Sequence, residues 1–245
     1  MNKTFDLPAL LLVGGMGTRL RSAVPSTPKA LASVGNQPFL QLLVRQLRAQ
    51  GIRRLVLCTG YLADQIEEAF GDGRAFGVEI SYSREPVPLG TAGAVKLARP
   101  RLNAAPDFLV MNGDSFLQAD LRDLIRFHYE HEGLVSMAVL PVPNAQRYGS
   151  VRVGAGSRVF GFTEKTDAVA PALVNAGVYI FKQDIFGYIP EGQASLERDV
   201  FPRLLDNGVY AQEQHGMFID IGTPEDYARA QELAAHLSEA AANRK

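Results

Sequence analysis

What the sequence lacks narrows it first. Its 245 residues hold one cysteine, Cys58, so neither an internal disulfide nor a cysteine-rich zinc site can form. Cys58 lies in the apolar run 55–58, where it reads as a small buried hydrophobe. Neither charge is in excess: 25 Lys and Arg face 26 Asp and Glu, a net charge of −1. That removes the global positive field with which a protein recruits nucleic acid or an acidic membrane, and leaves only a local basic site to consider. No apolar stretch approaches the roughly 20 residues of a membrane span. Residues 7–13 could pass for a signal-peptide core, but Pro8 interrupts them, only Lys3 precedes them and glycines follow. A cytoplasmic protein with no membrane partner is therefore expected. Internal repeats and low-complexity linkers are missing too.

What is present is ordinary globular material: 47% hydrophobic and 21% charged residues, with 23 Gly and 14 Pro. This excludes disordered and collagen-like chains. A chain of this length buries roughly 70–75% of the surface it exposes unfolded, enough for a self-sufficient core. Short apolar runs alternate with amphipathic stretches. Residues 9–13, 54–59, 78–83 and 108–111 read as strands, and residues 39–50, 62–70 and 92–98 as helices between them. Leu40, Leu43, Val44 and Leu47 mark one helical face. Apolar strands joined through helices predict an α/β fold with a largely parallel sheet covered on both faces. Further on, 120–132 reads as a helix, 134–140 as a strand, and 151–153 with 159–163 as a hairpin. Residues 173–181 read as a long strand and 196–205 as a helix interrupted or offset at Pro202. A terminal helix over 227–237 is expected, started by Thr223 as N-cap with Pro224 at the first helical position.

The first strand runs into Gly14-Gly15-Met16-Gly17-Thr18-Arg19-Leu20. Glycines at the carboxyl end of a strand let backbone N–H groups approach a phosphate, at the edge where open α/β sheets bind ligands. The phosphate-binding P-loop template fails, because no Gly-Lys-Ser/Thr follows at its spacing. The dinucleotide fingerprint fits poorly, since Leu20 takes the third glycine position and the ribose-binding acid is missing. Cations, by contrast, crowd the loop: Arg19, Arg21 and, after Pro28, Lys29.

The order of motifs resembles the sugar-nucleotide pyrophosphorylases, nucleotidyltransferases that act on sugar 1-phosphates. The resemblance is carried by the loop through Gly-Thr-Arg-Leu, by Pro28-Lys29, and by Glu85-Pro86-Val87-Pro88-Leu89-Gly90-Thr91-Ala92-Gly93. It continues through Asn112-Gly113-Asp114, Phe162-Thr163-Glu164-Lys165, Asn175-Ala176-Gly177-Val178-Tyr179 and Asp220-Ile221-Gly222-Thr223-Pro224. The fold it implies is a Rossmann-like three-layer nucleotide-diphospho-sugar transferase fold, with a mixed sheet and no appended β-helix domain. One domain over residues 1–245 is expected, its nucleotide-binding half at about 1–110 and its sugar-phosphate half, with the C-terminal helix, at about 111–245. The short form looks most like the D-glycero-D-manno-heptose 1-phosphate guanylyltransferases, which serve surface-carbohydrate synthesis. Mannose 1-phosphate guanylyltransferases, N-acetylmuramate 1-phosphate uridylyltransferases and glucose 1-phosphate nucleotidyltransferases are the alternatives. A non-catalytic sensor or regulatory subunit of the same fold is the alternative of a different class, although Arg19, Lys29, Asp114 and Asp220 are all in place. A homo-oligomer is compatible with the resemblance.

The implied reaction is attack by a sugar 1-phosphate oxygen on the α-phosphorus of a nucleoside triphosphate, with release of pyrophosphate. The nucleophile is already anionic at neutral pH, so positioning and charge neutralisation suffice. By the resemblance, Arg19 would hold the β- and γ-phosphates and Lys29 the α-phosphate, while Val13, Gly14, Gly15, Gly17, Thr18, Glu85, Gly90 and Thr91 surround the nucleotide. Gly113, Tyr148, Gly149, Glu164, Lys165, Asn175 and Gly177 would take the sugar phosphate. Asp114 and Asp220 would hold Mg²⁺, whose octahedral oxygen preference they suit; a carboxylate capping a turn is the other reading of both. Glu85 can only accept hydrogen bonds, and guanine offers two N–H donors on one edge where uracil offers one, so GTP is favoured over UTP. One departure from the family is Thr166, where many relatives carry proline. His128 and His131, three apart on a helix, lack a third metal ligand, and their neighbours Tyr129, Glu130 and Glu132 suggest a wetted face.

Overall fold

The four runs of the first half become four neighbouring parallel strands: 9–13, 54–59 and 108–111 are largely unbroken apolar runs, as interior strands covered on both faces must be, and 78–83, which alternates, lies at the edge. A computed structural model of the chain describes residues 7–102, 105–145, 149–163 and 170–242. Its strands are β1 (Ala9–Leu12), β2 (Ser33–Val34), β3 (Gln37–Pro38), β4 (Arg54–Thr59), β5 (Glu79–Arg84), β6 (Asp107–Asn112), β7 (Ser115–Leu117), β8 (Val135–Val142), β9 (Ser150–Val153), β10 (Val159–Thr163), β11 (Ala172–Lys182), β12 (Val209–Glu213) and β13 (Phe218–Asp220). Its helices are α1 (Phe39–Ala49), α2 (Ala63–Phe70), α3 (Gly90–Ala98), α4 (Leu121–Glu130), α5 (Pro224–Glu232) and α6 (Ala234–Ala242).

The main sheet begins β5-β4-β1-β6, all parallel, and continues antiparallel through β11. β8 lies antiparallel to β11 and carries β12 parallel on its far side. β9 and β10 join the other end of β11 as the expected hairpin. Among the described strands of this sheet, only β10 and β11 run against the rest, so the largely parallel mixed sheet is confirmed. Successive side chains on a strand point to opposite faces, and the core divides accordingly. Leu11 and Val13 pack with the inner faces of α1 and α4 and with Leu237 of α6. Leu10, Val56 and Cys58 pack on the other side with α3, Phe108, Tyr179, Phe181 and Phe201. The result is three layers. Cys58 is buried, and burial pushes its thiol far above the ordinary value.

Most element boundaries agree with the hydrophobic pattern; the differences have local causes. Leu62 takes a left-handed conformation at φ 52°, so α2 starts one residue late. The expected helix over 196–205 is one wide turn, Leu196–Val200, followed by tight turns over Phe201–Asn207. Pro202, lacking an N–H, falls where a regular helix would need that donor. The terminal helix is two helices that break at Leu233. His128 corrects the reading of a wetted face: it is buried, with Nδ1 2.8 Å from Ser136 Oγ and Nε2 3.6 Å from Asp107 Oδ1. Adjacent helical positions face different directions, so polar neighbours in the chain say little about a helical residue's own surroundings.

Thr223 caps α5 as expected, accepting from the Asp226 N–H at 3.3 Å and donating to Asp226 Oδ2 at 2.9 Å. Losing such a cap costs about 1 kcal/mol. Thr223→Ala should therefore lower the melting temperature by about 2–4 °C while Thr223→Ser keeps most of it. Equal melting of all three proteins would show that the cap contributes nothing.

Candidate active site

The site forms where β1 and β6 end side by side, Leu12 opposite Asn112. The glycine loop leaves β1, and Gly17 turns it at φ +57° so closely over Lys29 that a Cβ there would lie 3.1 Å from the lysine's own Cβ. Lys29 starts a short turn, Lys29–Leu31, directly after Pro28. Its Nζ reaches Asp114 Oδ2 at 2.7 Å and lies 3.8 Å from Asp220 Oδ1. The two aspartates come from distant parts of the chain. They meet because β7 and β13 form a separate antiparallel pair with Asp220 opposite Ser115, extended by the Ile221 N–H donating to the Asp114 carbonyl at 2.9 Å.

These charges sit in a screened corner; the Lys29 side chain is 13% exposed. Ser115 Oγ donates to Asp114 Oδ1 at 3.2 Å, and the Gly222 N–H donates to Asp220 Oδ1 at 2.6 Å. A Cβ on Gly222 would lie 2.8 Å from that oxygen and 3.3 Å from Lys29 Nζ, so only glycine leaves room for the group. Burial and the neighbouring Asp114 charge push the Asp220 carboxyl above the usual range, against the pull of Lys29 and the Gly222 N–H.

Besides a cavity of about 460 Å³ that reaches Asp220 from Leu140, Pro141 and Met217, two cavities border this group. The smaller, about 300 Å³, is lined by Gly14, Gly15, Glu85, Gly90, Thr91 and Asp114. The larger, about 670 Å³, is lined by Arg19, Gly149, Asn175, Glu197, Asp220 and Gly222 among others. Asn112 lines both. Its Oδ1 is buried and has no hydrogen-bond partner among the described residues. Glu85 is held over the glycine loop: a Cβ on Gly14 would lie 2.6 Å from its Oε1, and its Oε2 accepts from the Leu89 N–H at 2.7 Å. Burial raises its carboxyl above the ordinary value, and the Leu89 N–H only partly offsets this.

The structure thus brings Arg19, Lys29, Asp114 and Asp220 to one mouth, with the glycine loop and Glu85 on one side and Gly149 and Asn175 on the other. Thr18 lies exposed on the loop. Val13 is buried beneath it, against Gly113. Gly177, at φ +71°, gives the Asn112 side chain its space. Thr91 has a structural task as well, since its Oγ1 accepts from the Leu196 N–H at 2.8 Å. Tyr148, Glu164 and Lys165 lie outside the described residues. The sequence reading passed over Asn112, although it stands in the Asn-Gly-Asp motif. It also missed Gln193, which lines the smaller cavity, and Glu197, for which no local motif exists.

Comparison with known proteins agrees with this geometry. A model of the nucleotidyl transferase family matches residues 8–236. The chain belongs to this family. Among similar proteins is a D-glycero-alpha-D-manno-heptose 1-phosphate guanylyltransferase from Aneurinibacillus thermoaerophilus, 38% identical over 94% of this chain and 99% of that protein. A mannose-1-phosphate guanylyltransferase from Mycobacterium tuberculosis is 37% identical over 92% of this chain, which spans 64% of that longer protein. The crystal structure of HddC from Yersinia pseudotuberculosis complexed with GMP-PN matches with a TM-score of 0.82 and 31% identity, over 92% of this chain and 98% of that one. Membership of an enzyme family agrees with the expectation of a transferase. No described helix of this nucleotidyl transferase is long and apolar enough to cross a membrane.

Glu85 allows a test by pH. A carboxyl that binds its proton more tightly folded than unfolded favours folding at low pH, and loses that advantage as pH rises through the unfolded and then the folded value. Glu85→Gln should then melt roughly 1–3 °C higher than wild type at about pH 7, with the gain vanishing near pH 4. A variant that melts lower at neutral pH would show that the charge stabilises the loop.

Proposed function

We propose that this nucleotidyl transferase joins a nucleoside triphosphate to a sugar 1-phosphate, forming a nucleoside diphosphate sugar and pyrophosphate. The observation that carries this reading is the Lys29 ammonium between Asp114 and Asp220, at the boundary of a glycine-walled cavity and a larger one that Arg19, Asn175 and Glu197 line. In that geometry one cavity takes the triphosphate, the other the sugar phosphate, and the reacting atoms meet near Lys29. An oxygen of the sugar 1-phosphate attacks the α-phosphorus, and the bond to the bridging oxygen of pyrophosphate breaks. No proton need be removed from the nucleophile, so the chain's task is to align and to neutralise.

Each residue then has a role. Backbone N–H groups of Gly14, Gly15 and Gly17 face the phosphates, Arg19 holds the β- and γ-phosphates, and Lys29 stabilises charge at the α-phosphate. Gly149, Asn175, Glu164 and Lys165 take the sugar phosphate. One ammonium against two carboxylates leaves a net negative charge, the wrong sign for an anionic substrate. The hard oxygens of Asp114 and Asp220, two carboxylates brought together in a half-buried corner, suit a divalent ion such as Mg²⁺. Bound by these two residues, it would supply charge neutralisation at the phosphates.

GTP is the favoured nucleotide. The Leu89 N–H occupies one lone pair of Glu85 Oε2, and the carboxylate keeps others for the two adjacent N–H donors of guanine. The similar proteins named above for guanylyl transfer support the same base. A heptose 1-phosphate of the D-glycero-alpha-D-manno form is the favoured sugar, because the relative named for it is matched over 94% of this chain and 99% of its own length. Mannose 1-phosphate is the second reading, favoured by the 37% identical relative. Nucleoside triphosphates are cytoplasmic metabolites, which supports a cytoplasmic enzyme making activated sugars for surface carbohydrate.

A pyrophosphate-release screen across nucleoside triphosphates and sugar 1-phosphates tests the reaction and both substrates. The highest turnover is expected with GTP and the heptose 1-phosphate; silence with every pair would overturn the assignment. Lys29→Ala should lower turnover by about 10²-fold or more with an unchanged circular dichroism spectrum, and near-normal turnover would remove Lys29 from the mechanism. Asp114→Asn should need a higher Mg²⁺ concentration for half-maximal rate. An unaltered metal titration would reject Asp114 as a ligand.

A further inference from the structure

The larger cavity contains a carboxylate that neither the motifs nor the proposed mechanism uses. Glu197 lies in the wide turn Leu196–Val200, and this turn is fastened to the start of α3. The Ala92 N–H donates to the Ala194 carbonyl at 2.9 Å, and the Ala194 N–H donates back to the Leu89 carbonyl at 2.9 Å. Gly90 allows the approach, since a Cβ there would lie 2.5 Å from the Ala194 oxygen. Glu197 Oε2 is held from two sides, accepting from Ser195 Oγ at 2.9 Å and from Thr91 Oγ1 at 3.2 Å. Among the described residues, Glu197 Oε1 has only a long contact, from the Tyr179 hydroxyl at 3.4 Å. A carboxylate oxygen accepts about two hydrogen bonds, so the fixed side chain keeps accepting capacity on the oxygen that the cavity can use.

The other end of the same chain of hydrogen bonds is Asn175. Its Nδ2 donates to the Tyr179 hydroxyl at 2.6 Å, and its Oδ1 accepts from the Gly177 N–H at 3.0 Å. The Tyr179 side chain is fully buried, and burial pushes its phenol well above the ordinary range, so it remains a neutral hydroxyl. It accepts from Asn175 and donates to Glu197, setting a donor and an acceptor side by side on one wall. A carboxylate repels phosphate, so the substrate group that meets Glu197 is a neutral donor. We propose that Glu197 is a specificity-determining residue that accepts a hydrogen bond from a hydroxyl of the sugar, with Tyr179 coupling it to Asn175. This rests on the sugar 1-phosphate reading given above.

The test is pyrophosphate release at saturating nucleoside triphosphate, comparing wild type with Glu197→Gln on the parent sugar 1-phosphate and its monodeoxy analogues. Loss of a hydrogen bond to a charged group predicts a rise of about tenfold or more in KM for the sugar 1-phosphate. KM for the triphosphate should change less than about threefold. On one deoxy analogue, the one lacking the hydroxyl that Glu197 holds, the two proteins should have equal KM. An unchanged sugar KM with a lowered melting temperature, or the same penalty on every analogue, would overturn the assignment and leave Glu197 a structural residue. Should Glu197→Gln not fold, Tyr179→Phe, nearly isosteric in the core, decides: sugar KM rises if the coupling holds, and an unaltered KM overturns it. Wild type that releases no pyrophosphate from any sugar 1-phosphate would instead fail the underlying reaction, an outcome separate from a flat analogue series.

Discussion

Two three-residue strands hold the site together. β7 and β13 pair with each other and not with the main sheet, and their register sets Asp220 opposite Ser115. Without that register the two carboxylates would be separate surface groups. With it they share one ammonium, and each depends on the others: remove Lys29, and two half-buried negative charges face each other without compensation. Gly222 and Gly17 follow from the same constraint, because a side chain at either position would push against the group. The glycine loop therefore does two things. It lines the smaller cavity through Gly14 and Gly15 and lets the chain close over Lys29 at Gly17.

The legible parts of this arrangement were those written in contiguous residues. β1, the glycine loop and Pro28-Lys29 are local patterns with a local physical meaning, and the parallel core strands are plain apolar runs. β12 was not legible: Val209-Tyr210-Ala211 begins an alternation too short to separate from a loop. β7 and β13 are shorter still, and each is a strand only because the other is present. The aspartates they carry were readable as candidates, but their meeting was a property of the register. Glu197 was hidden for a related reason. Its segment reads as an apolar helix, and burial does confirm Leu196, Val200, Phe201 and Leu204 as core. What the pattern cannot express is that Pro202 and the contact with α3 turn this stretch into a wide turn whose carboxylate faces a cavity.

Asn112 joins the two cavities differently. It ends β6, borders both cavities, and has its Cβ space secured by Gly177 from β11. A buried carbonyl oxygen without a partner is costly in a protein at rest and is normally satisfied by water or a ligand. Its place in the common wall means that occupancy of either cavity is felt at one side chain. The Thr91–Glu197–Tyr179–Asn175 chain makes a second connection, from the start of α3 to the bulged part of β11. The two cavities are thus not structurally independent.

Electrostatics gives the site an order of events under the proposed reading. Lys29 cannot neutralise two aspartates and a phosphate at full strength together. In the protein without ligands it is committed to the aspartates, and the group it belongs to carries a net negative charge. An incoming polyphosphate therefore meets repulsion near the reacting position and, among the described residues, attraction from Arg19. Compensating positive charge must arrive with the substrate before Lys29 can turn from carboxylate to phosphate. The raised carboxyl of Asp220 is compatible with this, since burial and then the Asp114 charge outweigh the pull of Lys29 and the Gly222 N–H. The arrangement is consequently strained in charge rather than in backbone, and binding is what relieves it.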